Sequence, residues 1–162
     1  MIRDDRSGME AALREARASA VADEVPVGCV IVHEGLIVGR GHNQTERLQD
    51  ATAHAEILAI GAASNSLGSW RLTGCTVYVT LEPCAMCAGA MVLARVSRLV
   101  YGAADPKAGG CGSVLDVVHE PRLNHRVDVS RGVLAEECGN LLKEFFARKR
   151  RVPEPGVEPG HA

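Results

Sequence analysis

Two short stretches carry residues of the types and spacing that a metal and a proton carrier need: His54-Ala55-Glu56 and Pro83-Cys84-Ala85-Met86-Cys87. Imidazole nitrogen and thiolate sulfur are donors that zinc prefers, and a catalytic zinc keeps three protein ligands while leaving a fourth position to water. Cys84 and Cys87 are related as i and i+3. A helix opened by Pro83 therefore projects both thiolates from one face of its first turn, where the helix N-terminus favours their negative charge. His54 completes the ligand set. Zinc lowers the pKa of bound water to about 7. Glu56 then serves as a catalytic base that takes a proton from this water, hands it to a ring nitrogen and protonates a departing amine. The chemistry is hydrolytic, with an amine lost as ammonia and a carbonyl gained.

Each stretch alone also has an ordinary explanation. His-x-Glu at a helix start suits a capped, solvated turn, and Cys-x-x-Cys suits a redox dithiol or half of a structural zinc site. A structural site needs a fourth ligand, and His33, His42 and Cys111 have no short fixed spacing to either pair. No structural site has a use for Glu56. Two residues apart in mid-helix, His54 and Glu56 would diverge. His54 must therefore leave from the entry position and Glu56 from the first turn of a helix whose N-terminus faces the ion. The spacing predicts two helix starts converging on one zinc.

Apolar periodicity and turn residues place the elements that must carry these groups. Met9, Ala12, Leu13, Ala16 and Ala20 recur at helical spacing and predict a helix over about 7–22, with Pro26 marking its exit. Residues 27–32 and 36–40 are β-branched runs joined by His33-Glu34-Gly35, a hairpin. After a polar, aperiodic stretch over 44–52, a helical pattern begins beside His54 and stops near Asn65. Residues 76–80 alternate as a strand, Pro83 breaks it, and 84–93 is an apolar, small-residue segment suited to a buried helix. Strands over 98–101 and 127–129 flank a glycine-rich loop over 104–112, and 134–151 forms a long last helix. The order predicts a mixed α/β sheet of about five strands with helices on both faces.

With 162 residues, the chain suits one domain over 1–151 and a Pro- and Gly-rich tail over 152–162 that does not fold. Hydrophobic residues at 46% and aromatics at 3% require an aliphatic core. A formal net charge of −2 gives no general attraction to a polyanion, so a nucleic-acid partner must be argued from local features. The longest apolar runs fall far short of the roughly 20 residues of a membrane span. Arg3, Asp4, Asp5 and Arg6 are followed by no secretory stretch, so the expected location is cytoplasmic. The other four cysteines are expected as thiols, with Cys111, in the loop, the one expected to react.

The two stretches together resemble the cytidine deaminase superfamily. Within it the match is closer to the bacterial tRNA adenosine deaminases. That match rests on Glu24-Val25-Pro26-Val27-Gly28, Thr52-Ala53-His54-Ala55-Glu56, Leu81-Glu82-Pro83-Cys84, Cys87-Ala88-Gly89-Ala90-Met91, Asp105-Pro106-Lys107 with Gly112-Ser113, and Asn124-His125-Arg126-Val127. The resemblance implies a three-layer α/β/α cytidine-deaminase-like fold and one Zn2+ per subunit, with no organic cofactor. It implies conversion of the wobble adenosine of an arginine tRNA to inosine, the anticodon stem-loop as partner, and a homodimer whose two chains both touch RNA. It assigns Asn43 to the flipped nucleotide and Asp105, Lys107 and Asn124 to the RNA groove; by residue type alone, Asn43 also suits a positive-φ turn and the others a plain surface loop. Phe145, Phe146 and Arg148, with Lys149, Arg150 and Arg151, have the composition to hold a single-stranded loop, and equally that of an amphipathic helix with a solvated basic end. Two departures lie beside the expected pocket: Asp50-Ala51-Thr52, where these enzymes often have Asp-Pro-Thr, and His42 before Asn43. The zinc motif itself also suits a free guanine, cytosine or nucleoside deaminase.

Overall fold

The structure, a computed structural model, describes residues 1–151. The expected unfolded tail over 152–162 lies outside the described residues. Helix α1 (Asp5–Val21) opens with a capping box: the Ser7 N–H donates to Asp4 Oδ1 at 2.8 Å and the Asp4 N–H to Ser7 Oγ at 3.3 Å. The hairpin of β1 (Gly28–His33) and β2 (Leu36–His42) follows, turning through Glu34 and Gly35, both at positive φ. Then come α2 (Thr45–Leu48), α3 (Ala55–Leu67), β3 (Cys75–Leu81), α4 (Ala85–Ala94), β4 (Arg98–Ala103), a 3-10 turn (Val117–His119), β5 (Asp128–Arg131) and α5 (Ala135–Arg151).

The five strands form one mixed sheet in the order β2-β1-β3-β4-β5. β1 runs antiparallel to β2 and β3, whereas β3, β4 and β5 are mutually parallel. Strand alternation sorts the side chains onto two faces. Cys29 and Ile31, Val77 and Val79, and Leu99 and Tyr101 pack with Ala55, Ala59, Ala88 and Met91 of α3 and α4. Val30, Val32, Tyr78 and Val100 pack with Met9, Ala12 and Leu13 of α1 and Cys138 of α5. The sheet is therefore covered on both faces, which is why β1 reads as an unbroken apolar run rather than an alternating one.

Two expectations change. The polar stretch after Asn43 contains α2, four residues long, whose start the periodicity could not register. Helix α4 is buried on one side only. Met86 and Leu93, seven residues apart and so on one stripe, are 36% and 71% exposed.

At the far end of the parallel strands, α1 is fastened to the sheet by Asp5. Its carboxylate accepts Arg98 Nη1 and Nη2 at 2.6 and 2.7 Å and the Tyr78 hydroxyl at 3.1 Å. The Arg98 hydrogen bonds hold the Asp5 carboxyl below its ordinary 3.8, against the opposing effect of burial. Asp5→Asn should cost about 1–2 kcal/mol at neutral pH, discounted because the pair is about a third exposed. A carboxylate with a lowered folded-state pKa adds stability above its unfolded value and loses it as pH falls through the folded one. The melting-temperature gap between wild type and variant should therefore be full at pH 7 and shrink below about pH 4; a gap constant down to pH 2 would contradict the assignment.

Candidate active site

Helix α3 brings its N-terminus to the site because it lies close against β2. A Cβ at Gly41 would run into the Ala55 carbonyl, and one at Gly39 into that of Ala59. His54 is the N-cap of α3, extended at φ −74° and ψ 153°, with Glu56 in the first turn. Cys84 is likewise the N-cap of α4, at φ −71° and ψ 175°, with Cys87 in its first turn. Neither cap bonds its own helix through its side chain, as Ser, Thr or Asp would. Imidazole and thiol are left free to face each other across the gap between the two helix starts.

His54 Nδ1 stands 3.6 Å from Cys84 Sγ and 3.5 Å from Cys87 Sγ. All three donor atoms lie within 4.8 Å of one another. Zn–S bonds of about 2.3 Å and a Zn–N bond of about 2.0–2.1 Å at a tetrahedral angle place N and S roughly 3.5 Å apart. The donor set fits such an ion as it stands. Burial foremost, then Glu56 and Cys84 nearby, push the buried Cys87 thiol well up. A thiol in that setting ionises against a cation, which is what a divalent metal supplies. Glu56 is 4% exposed. Burial raises its carboxyl above the ordinary 4.5, while its own backbone N–H, the Cys87 thiol and the His54 imidazole pull the other way.

His54, Glu56 and Cys84 line a cleft of about 290 Å³ walled by Val25, Val27, Leu81 and Ala108, with Asn43, Thr45, Glu82 and Asp105 among the other lining residues. The Asn43 carbonyl accepts Ser19 Oγ at 2.8 Å, and its N–H donates to the Val27 carbonyl at 3.1 Å. The backbone is thus pinned at a negative φ, which removes the turn explanation. Its side-chain Oδ1 is buried without a partner. An unpaired buried acceptor costs about 1–3 kcal/mol, a cost that a donor on a bound molecule relieves. Neither departure from the family pattern lines the cleft: His42 turns toward Glu15, at 3.6 Å, and Asp50 closes a small turn onto Thr52.

Two buried carboxylates matter here, present in the sequence motifs but with no role assigned to them there. Glu24, 2% exposed, accepts the N–H groups of Arg47 at 2.6 Å and Glu46 at 3.3 Å, holding α2 and with it Thr45 at the cleft rim. Glu82, also 2% exposed, accepts the N–H groups of Asp105, Cys111 and Ser113, each at 3.1 Å, and the Ser113 hydroxyl. Burial alone would raise its carboxyl; the Ser113 hydroxyl and the three N–H groups outweigh burial and hold it below the ordinary 4.5. A lone Glu in sequence shows neither arrangement, since the partners lie more than 20 residues away.

The basic end of α5 reaches the cleft mouth. Lys149 Nζ pairs with Asp23 at 2.6 Å. A groove lined by Asp23, Val25, Thr45, Arg47, Phe146 and Lys149 shares Val25 and Thr45 with the cleft. Lys107 lines a neighbouring groove with Lys143, Phe146 and Arg150. Asp105 faces the cleft but also closes its own turn, accepting the N–H groups of Lys107 at 3.0 Å and Ala108 at 3.2 Å. Arg148 is exposed and lies with Arg151 on a separate surface of α5.

One expectation is corrected, that of Cys111, and Phe145 and Asn124 stand apart from the cleft itself. Phe145 is 4% exposed, edge-on to Phe146 and with Lys149 Nζ 5.7 Å from its ring centre, and it lines the same groove as Phe146. Phe146, 44% exposed, has a face free for a base. Asn124 does not join the cleft: next to it, the His125 ring bonds the Val96 carbonyl at 2.7 Å, which anchors this turn at the start of β4, the end opposite the ligands. Cys111 is fully buried against Pro83, and burial pushes its thiol up to about 12, so it is not the reactive thiol its loop position suggested.

The family model of the MafB19-like deaminases matches residues 3–150. The tRNA-specific adenosine deaminase of Bacillus subtilis is 49% identical over 147 residues, 91% of each chain. A solved structure from biochemical and structural studies of A-to-I editing by tRNA:A34 deaminases at the wobble position of transfer RNA superposes with a TM-score of 0.81. It is 47% identical, and the match covers 83% of this chain and 98% of the other. The guanine deaminase of Nitrosomonas europaea superposes with a TM-score of 0.76 at 26% identity, covering 91% and 86%.

Proposed function

This chain belongs to the tRNA-specific adenosine deaminases of the MafB19-like deaminase family, and on that premise we propose the reaction and the roles of its residues. It deaminates adenosine to inosine in tRNA, and the substrate we assign is the wobble adenosine of an arginine tRNA. His54, Cys84 and Cys87 hold one Zn2+ per chain. When bound, zinc acts as a Lewis acid that brings the pKa of water toward about 7.

Glu56 moves the protons. It leaves the first turn of α3 beside Cys87, buried where no bulk water competes, so it can accept a proton and release it to a ring nitrogen and then to the leaving amine. Asn43 Oδ1 meets a donor of the nucleotide. Val25, Val27, Leu81 and Ala108 exclude water around a single unstacked base. A loop base suits such a cleft because extrusion from a stem costs a few kcal/mol more.

The observation that carries RNA over a free base is the pair of residues, Val25 and Thr45, that border both the cleft and the α5 groove. A free base would end at the cleft, whereas an anticodon stem-loop continues along Phe146, Lys149, Lys107 and Arg150, an aromatic face among cations. The apolar outer stripe of α4, Met86, Gly89, Ala90 and Leu93, supports a homodimer. Asn124 would then meet RNA held by the other chain. No helix among the described residues is long and apolar enough to cross a membrane; tRNA as substrate supports a cytoplasmic location, and the proposed reaction calls for no organic cofactor.

Incubation with an arginine tRNA anticodon stem-loop, and separately with guanine, cytosine and adenosine, followed by digestion and nucleoside analysis, tests the reading. Inosine at the wobble position and unchanged free bases are expected. Turnover of guanine or cytosine with no inosine in RNA would end it.

A further inference from the structure

The loop that walls one side of the cleft has no regular secondary structure of its own over 104–113, yet it is held close to the metal-ligand turn. The Gly110 N–H donates to the Pro83 carbonyl at 2.7 Å, and Gly109 bridges to Cys84. A Cβ at Gly109 would run into the Glu82 carboxylate, and one at Gly110 would stand 2.8 Å from the Cys84 carbonyl carbon, so the two segments touch backbone to backbone. At the centre of this contact is Glu82, between β3 and Pro83, with its two oxygens divided between the two ends of the loop. Oε1 takes the Asp105 N–H and the Ser113 hydroxyl, and Oε2 takes the N–H groups of Cys111 and Ser113.

We propose that Glu82 is a positioning residue for the substrate: its carboxylate latches both ends of the 105–113 loop and so sets where Asp105, Ala108 and Lys107 stand against the bound RNA. The proposal rests on the deaminase reading above for the identity of the substrate, and on hydrogen-bond geometry alone for the latch. Glu82 takes no part in the proton transfer assigned to Glu56.

The donor pattern makes the consequence of Glu82→Gln specific. An amide keeps one acceptor oxygen. Placed at Oε2 it retains Cys111 and Ser113, and its NH2 can donate to the Ser113 hydroxyl, which accepts as readily as it donates. Only the Asp105 N–H loses its acceptor. The opposite flip would set NH2 against two N–H donors and is disfavoured. The variant therefore loosens the corner of the loop that faces the cleft and leaves the end near Cys111 attached.

The test uses the full chain loaded with zinc and reads metal content, amide hydrogen exchange over 104–113, and KM and kcat on the anticodon stem-loop. For Glu82→Gln we expect unchanged zinc content, exchange at the Asp105 end faster by about tenfold, and KM raised about tenfold with kcat within about threefold, the effect of one hydrogen bond to a charged group. Ser113→Ala removes the hydroxyl and leaves the three N–H bonds, so it should move both readouts in the same direction by less; it carries the test if Glu82→Gln does not fold. Unchanged exchange in the loop, or loss of zinc with a fall in kcat at constant KM, would overturn the proposal, the second by showing that Glu82 supports the ligand turn instead. A wild-type protein that makes no inosine in tRNA would sink the deaminase reading, and the exchange and zinc measurements would still decide the latch.

Discussion

Glu56→Gln is expected to lower turnover of the stem-loop by roughly 10²–10⁴-fold, the usual contribution of a positioned proton carrier. The amide has the carboxylate's shape and none of its basicity. It cannot take a proton, so neither the ring nitrogen nor the leaving amine receives one. The carboxyl is 4% exposed, and burial works against its charged form. Exchanging it for a neutral amide removes that opposition, so the melting temperature should hold or rise. Zinc content should stay at that of wild type, because the three donors that lie within 4.8 Å of one another do not include Glu56. Turnover within threefold of wild type would remove Glu56 from the mechanism, whereas loss of zinc alongside activity would recast it as a support for the ligands.

Cys87→Ala should act through the metal. Cys87 is wholly buried in the first turn of α4, 3.5 Å from the His54 nitrogen, and no other cysteine is placed to substitute for it. Losing a group that merely supports a metal ligand costs roughly 10–100-fold in affinity; losing one of three ligands should cost more, leaving the purified variant without zinc and without measurable turnover. Wild type should also be stabilised by zinc as the free metal exceeds its dissociation constant, by about 2.7 kcal/mol at a hundredfold excess. A chelator should therefore lower the melting temperature of wild type and leave that of Cys87→Ala unmoved. A variant that keeps stoichiometric zinc, or a wild type indifferent to chelation, would show that the three donors are not the metal site. The contrast separates the two substitutions: one keeps the ion and loses the proton carrier, the other loses the ion.

These two outcomes concern residues whose significance is local in sequence. His54 and Glu56, and Cys84 and Cys87, are each close enough along the chain that helix geometry alone says how they must leave their elements. That requirement, an N-cap donor with a first-turn partner at each of two helix starts, is the arrangement in α3 and α4. The five-stranded mixed sheet was legible for a similar reason, because periodicity and turn residues act over a few positions. What escaped was short or long-range. α2 has four residues, too few for periodicity to register. Phe145 and Phe146 are adjacent and alike in type, yet one is buried and the other exposed, since only the docking of α5 decides which face turns inward. Asn124 stands away from the cleft because its neighbour His125 is tied to Val96 at the other end of the sheet.

The sequence by itself determined the reacting groups, the order of the elements and the direction from which each helix presents its side chains, because these depend on residue chemistry and on contacts within a turn or two. Tertiary structure alone decided the rest. The packing of α3 against Gly39 and Gly41 brings the two helix starts together, Glu24 and Glu82 collect N–H donors from distant segments to shape the cleft, and the packing of α5 on the sheet sets Lys149 beside Asp23 near its mouth. Each of these joins residues in different elements of the chain, and whether such groups meet depends on how the layers pack, which no local pattern encodes.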